Sequence, residues 1–236
     1  MSISLGIWDR LPSPAQKKLR RLLHPARFGM IRTTTLVSRN WGYDRGMPVD
    51  RYYIEQFLGQ HRKDIHGRVL EVGDRTYTER YGLGVEHCDV LDNNPENPKA
   101  TLTIDLESAS ALPSNEYDCL VITQVLQFVY HLRPCLKDLY RSLRPGGVIL
   151  ATLPCVSRLD LSYGVEKDYW RFTAAACKLL FTEVFGAEQV NVYPYGNFLV
   201  SSAFLAGVAA EELSPRELGV QDEVFQLLTA VRAMKK

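Results

Sequence analysis

The stretch from Tyr117 to Pro154 constrains the fold more than any other. "YDCLVIT", Tyr117 to Thr123, is an apolar run whose length suits a strand buried on both faces. Beyond it Leu132, Leu136, Leu139 and Leu143 recur at helical spacing, with Pro134 near the start of the helix. "RPGG" closes that helix, and Gly147 leads into a second apolar strand, "VILATLP". Strand, helix and strand in this order describe a parallel pair joined by a crossover.

The alternation extends in both directions. "RVLEVG" from Arg68, "VEHCDVL" from Val85 and "ATLTIDL" from Ala100 read as three earlier strands. "FTAAACKLLFTEVF" reads as a helix with Thr173 as N-cap, "QVNVYPY" as a strand, Phe198 to Leu213 as a helix, and "FQLLTAVRA" as the last strand. Upstream, "PVDRYYIEQFLGQH" has helical apolar spacing with Asp50 near its N-terminus. The whole predicts an α/β fold, a mostly parallel sheet with helices on both faces. Residues 1–48 form an N-terminal lead-in with one helix and a possible lid, and residues 49–236 the main domain.

Composition narrows the function classes. In 236 residues the hydrophobic share is 46%, the charged share 23% and the net charge +1, which suits a soluble globular protein rather than a nucleic-acid binder. The apolar run Phe198 to Ala210 is too short and too interrupted to span a bilayer. "PAQKKLRRLLHPARFG" is basic and amphipathic; it reads as a helix packing on its own domain, with a membrane-surface or partner role as the alternative. The five cysteines form no CxxC pair, and the N-terminus lacks the apolar core of a signal peptide. A cytoplasmic protein with reduced thiols is the expectation.

In an open α/β sheet, ligands bind outside the carboxyl ends of the strands. Glu71, Gly73, Asp89 and Asp105 lie at or near three such ends. Asp89, after the second strand, suits a bidentate hydrogen bond to a ribose diol. Asp105 could accept from an adenine amine, with the backbone at Leu106 shaping the base pocket. "GDRTYTERYG" has one glycine in its turn and an acid, Asp74, which would repel a pyrophosphate. No GxxxxGK[ST] occurs. An acidic turn instead suits S-adenosylmethionine, which carries a sulfonium and an ammonium group and no phosphate.

The order "VLEVG", "CDVL", "IDL", "YDCLVITQVLQFV", "LYRSLRPGGVILATLP" and "DYWRFT" resembles the class I S-adenosylmethionine-dependent methyltransferases, over roughly Arg68 to Tyr195. It looks most similar to methyltransferase-like proteins found beside glycosyltransferases in bacterial sugar and natural-product loci. The resemblance implies a Rossmann-like seven-stranded sheet with its last strand antiparallel. It implies that Glu71 and Gly73 face the methionine portion, Asp89 the ribose, Asp105 and Leu106 the adenine, and Thr123 and Gln124 the sulfonium. The family's acid-x-Gly-x-Gly-x-Gly keeps only Glu71 and Gly73, and Gln127 stands where many relatives have histidine.

Methyl transfer from a sulfonium is an in-line displacement, so alignment can supply much of the catalysis. A base within hydrogen-bond reach could add to it. The segment Pro154 to Thr173 should cover the site, with Asp168 or His131 as base and Arg171 orienting the acceptor. The competing reading is that "DYWRFT" pins the loop. Arg45 or Arg51 could hold the methionine carboxylate, or join a surface ion-pair network instead. No metal site is expected. An O-methyltransferase acting on a sugar or related small natural product is the leading function, and a catalytically silent domain used for binding or assembly is its rival.

Overall fold

The computed structural model describes Pro12, residues 34–161 and residues 164–236. The chain divides into two compact units, Met1–Leu36 and Val37–Lys236, and every element named below belongs to the second. The expected basic helix before residue 30 lies outside the described residues.

Seven strands form one sheet in the order β3-β2-β1-β4-β5-β7-β6. They are β1 (Gly67–Val72), β2 (Val85–Asp92), β3 (Leu102–Thr103), β4 (Tyr117–Thr123), β5 (Leu143–Pro154), β6 (Val190–Tyr195) and β7 (Leu228–Met234). β1 to β5 pair in parallel, while β7 runs antiparallel to both β5 and β6. The strand order reverses between β1 and β4, which places the ligand-binding crevice at their carboxyl ends.

Alternate residues of the central strands feed two cores. Leu70, Leu120, Ile122 and Ile149 pack with α3 (Leu132–Ser142) and α4 (Ala174–Phe185). Val69, Cys119, Val121 and Leu150 pack on the other face with α1 (Val49–Gln60), Tyr77 and α5 (Phe198–Ala206). In α1, Tyr53, Ile54, Phe57 and Leu58 are fully buried, each worth about 1.5–3 kcal/mol of hydrophobic transfer. This helix therefore holds its first turn firmly over the carboxyl edge of the sheet. Two further short helices are α2 (Thr76–Tyr81) and α6 (Pro215–Gly219).

Several sequence-based boundaries shift. "ATLTIDL" supplies only a two-residue strand, because Ile104 onward turns into a 3-10 helix over Leu106–Ala111. "RPGG" lies inside β5, which begins directly after α3 at Leu143. The helix from Phe198 stops at Ala206, because Gly207 adopts a left-handed conformation at φ 79°. That glycine is required twice over, since a Cβ there would collide with the carbonyl of Ser38.

Candidate active site

A cavity of about 700 Å³ opens at the carboxyl edge of the sheet. Its walls come from the turn after β1, the end of β4, the segment after β5, the start of α1 and residues 41–48. Thr123 ends β4 and lines the cavity, as do Gln124, Gln127 and Phe128. Gln124 adopts a positive φ of 53°, and its N–H donates to the Thr152 carbonyl at 2.8 Å. The chain is thereby turned sharply off β4 into the cavity wall.

The turn after β1 explains how the acid and the missing glycines coexist. Glu71 is buried, and its two carboxylate oxygens accept from the Tyr77 and Thr78 N–H groups at 3.0 and 2.8 Å. The first amides of α2 are thus taken by the chain's own carboxylate rather than left for a ligand. Burial raises the Glu71 carboxyl above its usual range, although the hydrogen bonds from Thr78 and Tyr77 pull the other way. Gly73 adopts φ 83°, and a Cβ built on it would meet nothing within 4 Å, so the turn leaves open space beside its backbone. Burial opposes ionisation of Asp74, but hydrogen bonds from Thr76 and Lys99 outweigh it and lower its carboxyl.

The two residues standing in place of glycines behave differently. Arg75 points outward and pairs with Glu79 at 2.8 Å. Tyr77 turns inward, its ring in the core and its hydroxyl accepting from the Arg51 guanidinium. Burial pushes that hydroxyl up to about 12.

Four expected cofactor contacts stand elsewhere than the sequence suggested. Asp89 lies in the middle of β2, opposite Leu70, and is not at the sheet edge. Its carboxylate is used by Arg68 at 3.0 Å, His87 at 3.0 Å, Thr101 at 3.1 Å and Tyr117 at 3.3 Å. Asp92, three residues on, ends the strand beside the β1 turn. Asn97 Nδ2 bridges Asp92 Oδ2 at 2.6 Å and the Gly73 carbonyl at 2.7 Å. Asp105 caps the following 3-10 helix by accepting from Glu107 N–H at 2.9 Å, and Leu106 is buried in the core. Neither lines the cavity. Arg45 is withdrawn too, forked onto Glu212 at 2.8 and 2.5 Å, which leaves Arg51 as the arginine of that pair in the cavity wall.

The three candidates for catalysis are likewise placed by their partners. Asp168 lines the cavity but accepts from both ends of the Arg171 guanidinium at 2.6 and 2.8 Å and from Asp160 N–H at 3.0 Å. Burial works against that charge, yet Arg171 and the Asp160 amide outweigh it and lower the carboxyl. A saturated carboxylate with a lowered pKa is a poor base. Arg171 also donates to the carbonyls of Ser157 and Arg158 at 3.4 and 2.7 Å, so the pair staples the covering loop. His131 is exposed, lies outside the cavity, and meets Glu107 at 3.0 Å.

Other features of the wall were not legible in the sequence. Arg158 stacks on Trp41 at 3.9 Å, tying the loop after β5 to the segment before α1. Gln127 is 7% exposed, its Nε2 donates to the Gln124 carbonyl at 2.8 Å, and its Oε1 has no partner. Among the described residues no histidine, lysine or cysteine lines the cavity, and no cluster of His, Cys, Asp and Glu could hold a metal.

These features suit an adenosyl sulfonium compound. The backbone is open at Gly73, carboxylates line the walls, and the α2 amides that would grip a phosphate are already occupied.

Comparison with known proteins agrees on the class. The methyltransferase domain family matches residues 82–151. A SAM-dependent methyltransferase from Archaeoglobus fulgidus is similar at 16% identity and TM-score 0.51, over 78% of this chain and 94% of its own. A putative S-adenosylmethionine-dependent methyltransferase from Listeria monocytogenes is similar at 11% identity and TM-score 0.52, over 80% and 97%. A possible exported protein from Bordetella parapertussis reaches TM-score 0.52 at 11% identity, over 93% and 78%. No curated protein matches. The fold is that of the class I methyltransferases. Within that fold, the match to the methyltransferase domain family covers residues 82–151.

Proposed function

We propose that the protein is an S-adenosylmethionine-dependent methyltransferase that O-methylates a sugar or a related small natural product in the cytoplasm. The observation that carries the cofactor is Glu71. By occupying the first amides of α2 it makes the turn after β1 unfit for a pyrophosphate and fit for a phosphate-free nucleoside. S-adenosylmethionine supplies an electrophilic methyl group on sulfur.

The chain's own residues set the geometry. Gly73 leaves room for the nucleoside, and Asp92, outside the cavity wall but tied through Asn97 to the Gly73 carbonyl at the end of β2, is the acid we assign to the ribose diol. Thr123 and Gln124 form the floor at the end of β4. The loop stapled by Asp168 and Arg171, with residues 41–48 as the opposing lid, shields the reacting centre from water. With Asp168 committed to Arg171 and no histidine in the wall among the described residues, alignment carries the catalysis. For the acceptor, support comes from an exposed aromatic step beside the loop. Tyr130 lies 5.3 Å from Tyr169 and 6.2 Å from Trp170, faces on which a sugar ring can stack.

Calorimetry with S-adenosylmethionine and S-adenosylhomocysteine tests the reading. Binding of both is expected, and failure of both at high micromolar concentration would overturn it. Screening glycosides for methyl transfer from labelled cofactor then tests the acceptor class.

A further inference from the structure

Two neighbouring residues of opposite charge, Asp50 and Arg51, line the cavity from the first turn of α1. Other carboxylates in the wall are already engaged: Glu71 by the α2 amides, Glu55 by Arg80 at 2.5 Å, Asp74 by Lys99 at 3.2 Å, and Asp168 by Arg171. Asp50 accepts the Arg51 N–H at 2.8 Å and forms no salt bridge among the described residues. Arg51 likewise has no carboxylate partner among them. Its guanidinium lies over the Tyr77 ring at 5.7 Å and donates to the Tyr77 hydroxyl.

Tyr77 fixes where this pair sits. At one end its backbone N–H donates to Glu71, and at the other its hydroxyl holds Arg51. The pair therefore faces the turn after β1, where the amino-acid end of the cofactor would lie. An acid and a guanidinium that form no salt bridge among the described residues complement a zwitterion, because a carboxylate matches the arginine fork and an ammonium matches the aspartate.

We propose that Asp50 and Arg51, with Tyr77 as their brace, form a cradle that reads both charges of the cofactor's α-amino-acid group. The inference rests on the cofactor assignment above. Recognition that a glycine-rich turn would share between backbone amides has moved to side chains of α1. Tyr77, in a glycine's place, builds that site rather than blocking it.

The test compares S-adenosylhomocysteine with 5′-methylthioadenosine, which keeps the nucleoside and sulfur but lacks the amino-acid group. Calorimetry on the full chain should show that the wild type binds S-adenosylhomocysteine at least about 10-fold more tightly. Asp50→Asn and Arg51→Gln should each remove about 10-fold of that affinity and leave 5′-methylthioadenosine within about twofold. Asp50→Asn is nearly isosteric, so it guards against a folding artefact at Arg51. Equal loss for both ligands, or no loss for S-adenosylhomocysteine, overturns the cradle alone. A wild type that binds both ligands equally also overturns it. A wild type that binds neither overturns the cofactor assignment itself.

Discussion

Replacing Asp92 and Asp89 separately distinguishes a ligand contact from a structural one. Asp92 ends β2, and among the described residues only the Asn97 side chain and the Asn94 backbone engage its carboxylate. If it holds the ribose diol through two charge-assisted hydrogen bonds, each worth about 1.5–3 kcal/mol and not fully additive, Asp92→Ala costs about 2–4 kcal/mol of binding. That is roughly a 30- to 1,000-fold loss of S-adenosylhomocysteine affinity, at about 1.4 kcal/mol per decade. Asp89→Ala should behave in the opposite way. It removes a shared partner of Arg68, which keeps Glu116, and of Thr101 and Tyr117 around a buried position, at a cost of about 2–4 kcal/mol of stability. For a domain of this size each kcal/mol lowers the melting temperature by about 2–4 °C. Calorimetry and a thermal melt on both variants read the two effects independently. If Asp89→Ala lost affinity at an unchanged melting temperature while Asp92→Ala bound normally, the assignment of the strand end would be refuted.

Other substitutions probe the frame around the site. Asp168→Asn should lower stability by about 1–3 kcal/mol by releasing Arg171, and an unchanged melt would refute the staple. Thr173→Ala should cost about 1 kcal/mol, because the Thr173 side chain accepts from Ala176 N–H at the start of α4; urea denaturation reads it directly. Asp64→Asn should give a pH-dependent penalty. Burial alone would raise the Asp64 carboxyl, but Arg232 and His61 outweigh it and hold it far below the usual range. A carboxyl lowered on folding contributes stability above its unfolded value of about 3.9 and loses it as pH falls toward the folded value. The wild type should therefore exceed Asp64→Asn in urea midpoint at pH 7, with the gap narrowing below about pH 4. A gap independent of pH would refute the ion pair's contribution.

How much of this was legible in the sequence depended on whether a property was local. β4 matches its apolar run at both ends, and α3 follows the leucine spacing, because burial periodicity is written along the chain. The antiparallel β7 followed from family resemblance, since no local pattern gives strand direction. The end of β2 was missed by one residue, and that was enough to pick Asp89, in the middle of the strand, rather than Asp92 as the acid at its end. "CDVLD" contains two acids, and only the pairing of Asp92 with Thr103 and its tie through Asn97 to Gly73 shows which reaches the edge. Asp168 and Arg171 were expected in the segment covering the site, as base and acceptor-orienting group; both line the cavity, where each satisfies the other. Spacing alone could not say whether two opposite charges face a ligand or one another.

The same distinction governs the glycine-poor turn. A chain that binds phosphate through backbone amides must keep those amides free and uncrowded, which is why such turns need several glycines. Here Glu71 consumes the amides of Tyr77 and Thr78, so nothing remains for extra glycines to expose. Only Gly73 must stay small, since its φ of 83° is unfavourable for other residues and its missing side chain opens the space beside the turn. Bulk two to four residues later is then tolerated, and at Tyr77 it becomes useful by bringing Arg51 into the cavity wall. Gly73→Ala should therefore weaken S-adenosylhomocysteine binding severely, while Arg75→Gly, at the outward-facing position, should leave it unchanged.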